Sequence, residues 1–191
     1  MIDSLFVVEG DEDKNFLIRF VKFYFDYDLE EKHFIIIEGD ISKLHLYKER
    51  FEQKPGYDFY FILDCDDHQF DDRKLNIKTT AEQNSITIKE LFLLPDNQSN
   101  GNLETLLDRI IPEKNRNLIA CLNNFINCAN NSGIKGLKSD YRKEMYMMYH
   151  GSFENSGLAS GAKRKYDNPD IWNLNSPALD PLIQFLKNVL K

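Results

Sequence analysis

Phe59-Tyr60-Phe61-Ile62-Leu63 runs without a polar break into Asp64-Cys65-Asp66-Asp67. An apolar, aromatic-rich run of this length that stops at a cluster of acids predicts a strand buried on both faces, ending at a solvent-exposed rim. Leu5-Phe6-Val7-Val8, closed by Glu9-Gly10-Asp11, and Phe34-Ile35-Ile36-Ile37, closed by Glu38-Gly39-Asp40, repeat the pattern. Ile86 to Leu94, stopped by Pro95, predicts a fourth strand. None of these runs alternates apolar and polar residues, so both faces of the sheet need cover, as in a mainly parallel sheet.

The segments between the strands supply that cover. Phe16, Leu17, Phe20, Val21 and Phe23-Tyr24 recur at helical spacing after the first strand. Ile41, Leu44, Leu46, Tyr47 and Phe51 suit a second helix, broken at Pro55-Gly56. Residues 71–84 are polar and fit either a helix or a loop. Alternating β and α segments predict βαβ units with right-handed crossovers. The fold class expected is α/β: a four-stranded, mainly parallel sheet flanked by helices over residues 1–110, with an α-helical, basic extension over 111–191 packed on it. After the fourth strand, 103–111, 117–130, 141–149 and 181–190 read as helices. Leu118, Cys121, Leu122, Phe125, Ile126 and Ala129 are expected on one face of the second of these. Gly151–Lys165 reads as a loop, Tyr146, Met147, Met148 and Tyr149 as core, and Trp172 as an anchor.

The chain has 191 residues, 42% hydrophobic and 29% charged, with a net charge of −7. This is a globular composition, and it excludes a disordered or collagenous chain. No apolar run approaches the roughly 18 residues that span a bilayer. The first residues lack the basic start and cleavage site of a secretory signal, so a cytoplasmic setting is expected, with Cys65, Cys121 and Cys128 as reduced thiols. The charge is unevenly placed. Residues 1–113 hold 13 Lys and Arg against 25 Asp and Glu; residues 114–191 hold 11 against 6. An acidic half suits cation binding and a basic half suits phosphates.

Ligands of open parallel sheets bind at the carboxyl ends of the strands. Glu9 ends the first strand, and Asp64, Asp66 and Asp67 end the third. If strand geometry persists, Asp64 and Asp66 point to one face. Asp13, one turn into the first helix, can look back at Glu9. Two carboxylates about 5 Å apart repel by roughly 3 kcal/mol at an effective dielectric of 20. A hard divalent cation, Mg²⁺ or Mn²⁺, relieves this and carries phosphate oxygens as its remaining ligands. Glu104, in the first turn of a helix, is a candidate for a second metal. Lys163-Arg164-Lys165, with Lys138, Arg142 and Lys143, could hold a nucleic-acid backbone. His68 reads as a loop residue.

Val7-Val8-Glu9-Gly10, then Asp13 and Phe16-Leu17, followed after an intervening strand by Asp64-x-Asp66-Asp67, resembles the Toprim domain. This domain occurs in topoisomerases, bacterial primases, recombination-repair scaffolds, ribosomal-RNA maturases and overcoming-lysogenization-defect nucleases. Leu93-Leu94-Pro95-Asp96, with Gly101, Leu103-Glu104 and Leu106-Leu107, is similar to a signature of stand-alone bacterial Toprim-like proteins, and Tyr166-Asp167-Asn168-Pro169 with Ile171-Trp172 adds to it. The resemblance covers residues 4–107. It implies that Glu9 acts as general acid/base or metal ligand, that Asp64 and Asp66 bind Mg²⁺, and that the activity is phosphodiester cleavage of DNA or RNA. No tyrosine, zinc or ATPase module of the larger relatives fits in 191 residues. A small nuclease, or one half of a system with an ATPase partner in trans, fits better. A non-catalytic Toprim scaffold is the alternative. A receiver-like phospho-acceptor domain would use Glu9, Asp11 and Asp64, but needs a fifth strand and a lysine after Leu94 that the sequence does not offer. A haloacid-dehalogenase phosphatase needs Asp-x-Asp after its first strand, not its third.

Overall fold

The computed structural model describes residues 4–134, 141–154 and 164–190. Four parallel strands form one sheet in the order β2-β1-β3-β4. They are β1 (Ser4–Val8), β2 (Phe34–Ile36), β3 (Asp58–Asp64) and β4 (Ile88–Leu94). Helix α1 (Asp11–Phe25) follows β1, and α2 (Lys48–Glu52) follows β2. Next come α3 (Phe70–Gln83) after β3, then α4 (Leu103–Arg109), α5 (Arg116–Asn130), α6 (Arg142–Gly151) and α7 (Asp180–Val189). No helix among the described residues is long and apolar enough to cross a membrane. Cys65, Cys121 and Cys128 are all free thiols.

Alternation along each strand divides the core. Phe6 and Val8, Tyr60 and Ile62, and Phe92 and Leu94 face α1 and the C-terminal helices. Leu5 and Val7, Phe61 and Leu63, and Leu91 and Leu93 face α2 and α3. Both faces are therefore dry, which explains the unbroken apolar runs. The C-terminal part supplies much of the first face: Tyr146, Tyr149, Trp172, Leu182, Phe185 and Leu186 join one cluster with the sheet. Trp172 is fully buried against Tyr149 and Tyr166. The ring of Phe185 meets those of Tyr60 and Phe92.

Several expectations from the sequence are refined. The helix after β2 is mostly a 3-10 helix (Ile41–Tyr47), with only its end, α2, α-helical. A 3-10 helix repeats every three residues, so Ile41 and Leu44 are buried and Tyr47 packs beside them, whereas Leu46 turns outward at 67% exposure. Residues 71–84 are helical, and Arg73, Ile77 and Ala81 face inward at helical spacing. Along α5 the inward stripe is rotated from the expected one. Ile119 and Leu122 are buried and Ile126 packs beside them, while Cys121 and Phe125 are exposed. Met148 on α6 is also exposed, at 45%, because neighbouring elements cover only one side of these two helices.

Candidate active site

The strand order reverses direction at β1 and β3. Chain connections leave these neighbours toward opposite edges of the sheet, and the crevice beyond their carboxyl ends is the usual ligand position in such folds. Glu9 follows β1 and Asp64 is the last residue of β3, so the topology brings them to that crevice. A cleft of about 420 Å³ opens there, lined by Glu9, Glu12, Asp13, Asp64, Glu104 and Lys143 among others. Two larger clefts, of about 630 and 620 Å³, lie at the opposite ends of β3 and β4 around Ser85–Ile88. Their charges are mixed, Lys78 with Glu82 in one and Lys48, Lys54 and Lys89 with Glu52 and Asp58 in the other, so the chemistry favours the smaller one.

Three acids at the crevice are each held by one oxygen. The Asp64 N–H donates to Glu9 Oε1 at 3.3 Å, and Leu103 N–H donates to Asp64 Oδ1 at 3.1 Å. The Gly10 N–H donates to Asp13 Oδ2 at 2.9 Å, with Gly10 at the start of α1. No hydrogen bond among the described residues engages Glu9 Oε2, Asp13 Oδ1 or Asp64 Oδ2. Backbone anchoring of this kind fixes where a carboxylate points while leaving lone pairs for a ligand.

Packing so many acids together perturbs them. Burial raises Glu9 from an ordinary 4.5 to about 7, against the pull of Arg73. Burial, and then the charge of Glu9, raise Asp13 to about 7. Asp64 is raised well above the usual carboxylate range by burial and by Asp13 and Glu9. Burial raises Glu104 as well.

Asp66 departs from the expected geometry. It has φ 53°, left-handed, so strand alternation ends at the buried Cys65. Its backbone pairs with Gly101 in an isolated antiparallel bridge. The side chain is half exposed, with Oδ2 3.9 Å from the Arg73 guanidinium, outside the lining of the cleft.

Arg73 is the site residue that sequence reasoning misses. Its side chain is only 3% exposed. Nε donates to the Asp64 carbonyl at 3.1 Å, one terminal nitrogen to Asp40 Oδ2 at 3.2 Å and the other to Glu9 Oε1 at 3.2 Å. The available signal was its position four and eight residues before Ile77 and Ala81, on the apolar face of a helix.

The basic residues separate. Lys143 reaches the cleft, 3.7 Å from Glu12 Oε2. Arg142, beside it on α6, is exposed. Arg164, expected on an outer basic surface, is instead 1% exposed and ion-paired to Glu12. The Tyr166 hydroxyl donates to the same Glu12 oxygen at 2.7 Å, and Asn15 donates to the Arg164 carbonyl. Glu12, in the first turn of α1, draws this guanidinium inward because a buried carboxylate demands a counter-charge. Lys165 is exposed, and its N–H donates to His150 Nε2. Lys138 and Lys163 lie outside the described residues. His68 is exposed in the loop after β3.

No curated protein and no solved structure matches the chain. A family model described as a protein of unknown function (DUF3226) matches residues 3–191, and the chain belongs to that family.

Proposed function

We propose that the protein is a Toprim-like, divalent-cation-dependent phosphodiesterase acting on DNA or RNA. The observation that carries this reading is the convergence of Glu9, Asp13, Asp64 and Glu104 on one cleft at the reversal point of a parallel sheet. The donor set suits Mg²⁺ or Mn²⁺: every side chain offers hard carboxylate oxygen, and burial, with neighbouring acids adding to it, raises the pKa of each, so that a cation would favour their ionised forms. Among the described residues, no three such groups already stand as a formed ligand set, so binding requires them to draw together.

Glu9, Asp13 and Asp64 would hold the cation, with Glu104 beside them. A divalent cation held there would supply Lewis-acid chemistry toward a phosphate oxygen and an attacking water. The chain itself contributes three things. Glu9, raised to about 7 before any cation binds, would serve as a ligand or, where it stays off the cation, as the group that gives or takes a proton. Lys143, at the mouth of the cleft, meets the phosphate of a bound strand. Arg142 and Lys165, exposed on the C-terminal part, extend the cationic surface. An ATPase partner in trans and a cytoplasmic setting fit such an enzyme.

A second reading, a non-catalytic Toprim-like scaffold that binds nucleic acid or a protein, draws support from Arg73, which already compensates part of the charge on Glu9. A receiver-like domain has less behind it: the sheet has no fifth strand among the described residues. The deciding experiment is a cleavage panel of supercoiled, linear and single-stranded DNA and RNA with Mg²⁺ or Mn²⁺, run beside Glu9→Ala. Cleavage by the wild type and its loss in the variant support the enzyme. No cleavage of any substrate, with nucleic-acid binding retained, supports the scaffold.

A further inference from the structure

Arg73 enters the acid cluster from beneath. Its guanidinium lies between Glu9 and Asp40, 3.2 Å from each, and 3.9 Å from Asp66. Its Nε is fixed on the Asp64 carbonyl. Arg73 shares the inward face of α3 with Ile77 and Ala81, which are buried in the core. The acids therefore fall into two groups. Asp40 and Asp66, at 53% and 47% side-chain exposure, flank the guanidinium. Asp13, Asp64 and Glu104 line the cleft, which neither Asp40 nor Asp66 does. Glu9 belongs to both groups: Oε1 is taken by Arg73 and the Asp64 N–H, while Oε2 has no hydrogen bond among the described residues.

We propose that Arg73 is a positioning residue that acts as a fixed cation on the Asp40–Asp66 side, orienting Glu9 and limiting the cluster to a single divalent cation on the Asp13–Asp64 side. The proposal rests on the phosphodiesterase reading and adds the number of metals and the reason for it. A guanidinium cannot lose its charge at any working pH. Where it sits, Coulomb repulsion opposes a second divalent ion, and its fork holds a carboxylate more rigidly than an ammonium would.

The test counts Mn²⁺ bound per chain, from the loss of the free-ion electron paramagnetic resonance signal, with folding checked by circular dichroism. Wild type is expected to bind one Mn²⁺. Arg73→Gln exposes Glu9, Asp40 and Asp66 to each other and is expected to bind two. Arg73→Lys, which keeps the charge, stays at one. Asp66→Asn, at a half-exposed side chain, is expected to keep one Mn²⁺ with affinity changed by less than about twofold, since Asp66 faces Arg73 and not the ion. Two ions on the wild type, or one ion on a folded Arg73→Gln at unchanged affinity, would overturn the proposal and leave the phosphodiesterase intact. Should Arg73→Gln fail to fold, a loss of about tenfold or more in Mn²⁺ affinity for Asp66→Asn overturns it equally. No Mn²⁺ on the wild type defeats the metal-dependent reading itself, and this proposal with it.

Discussion

Asp66 and Gly101 exchange two backbone hydrogen bonds, each 2.7 Å between nitrogen and oxygen. This short antiparallel clasp ties the loop after β3 to the turn before α4. It also brings the Leu103 N–H within reach of Asp64 Oδ1. Gly101 has φ +133°, a conformation that side chains rarely adopt, and an added Cβ would lie 2.8 Å from Thr105 Oγ1. Gly101→Ala is expected to destabilise the fold by about 1–3 kcal/mol in urea titrations. It should also weaken the response to Mn²⁺, because Asp64 loses its anchor. A variant with wild-type stability and metal response would mean that the clasp holds nothing in place.

The acids set a pH dependence with a definite sign. A carboxyl whose folded pKa is raised favours folding while it stays protonated, and that contribution is lost as pH climbs through the folded value. Glu9 moves from 4.5 to about 7 and Asp13 from 3.8 to about 7. In the absence of divalent cations, stability should therefore fall between about pH 4 and pH 7, with Glu9 accounting for roughly 3 kcal/mol. Denaturation curves at pH 5 and pH 8 measure this. Glu9→Gln should flatten the difference, and saturating Mn²⁺ should reduce it by favouring the ionised acids. A wild type equally stable at both pH values, matched by the variant, would refute the assignment.

Asp64→Asn separates chemistry from binding. With metal present, cleavage should drop by about 100-fold or more, because the cation's stabilisation of developing charge is worth several kcal/mol. Nucleic-acid affinity should hold or rise, since a negative charge near the phosphate has gone. In cation-free buffer the fold should be no less stable than wild type. Gel-shift, cleavage and melting assays on one preparation decide it; equal cleavage by both proteins would exclude Asp64 from the site.

Arg164 and Lys143 should differ in kind. Arg164→Ala leaves Glu12 buried without its main counter-charge, and is expected to lower stability by about 3 kcal/mol. Lys143→Ala should leave stability within about 0.5 kcal/mol while weakening nucleic-acid binding and flattening its salt dependence. A salt slope that changes with Arg164→Ala in the folded protein, and not with Lys143→Ala, would reverse these roles.

Strand positions and the ends that carry Glu9 and Asp64 were legible because a strand buried on both faces spells itself as an unbroken apolar run that stops where solvent begins. The face of α5 was less so. Phe125 and Ile126 are equally apolar, and only contacts with distant chain decide that Ile126 turns inward. Arg73 and Arg164 were illegible for one shared reason. An arginine looks like surface until its carboxylate partner is known, and Glu9 and Glu12 lie far from them along the chain. Asp66 was misplaced because a left-handed residue directly after a strand breaks the period of two on which the expectation stood.

Phe185 sits between the rings of Tyr60 and Phe92, closing the sheet with a residue from the last helix. During synthesis the strands and α1 emerge long before that cover does, and α1 alone leaves part of their apolar face bare. Contacts so distant along the chain slow the final search and lengthen the exposure of a sticky intermediate. The span between completion of β4 and completion of α7 is therefore the stage of folding at which aggregation is favoured most.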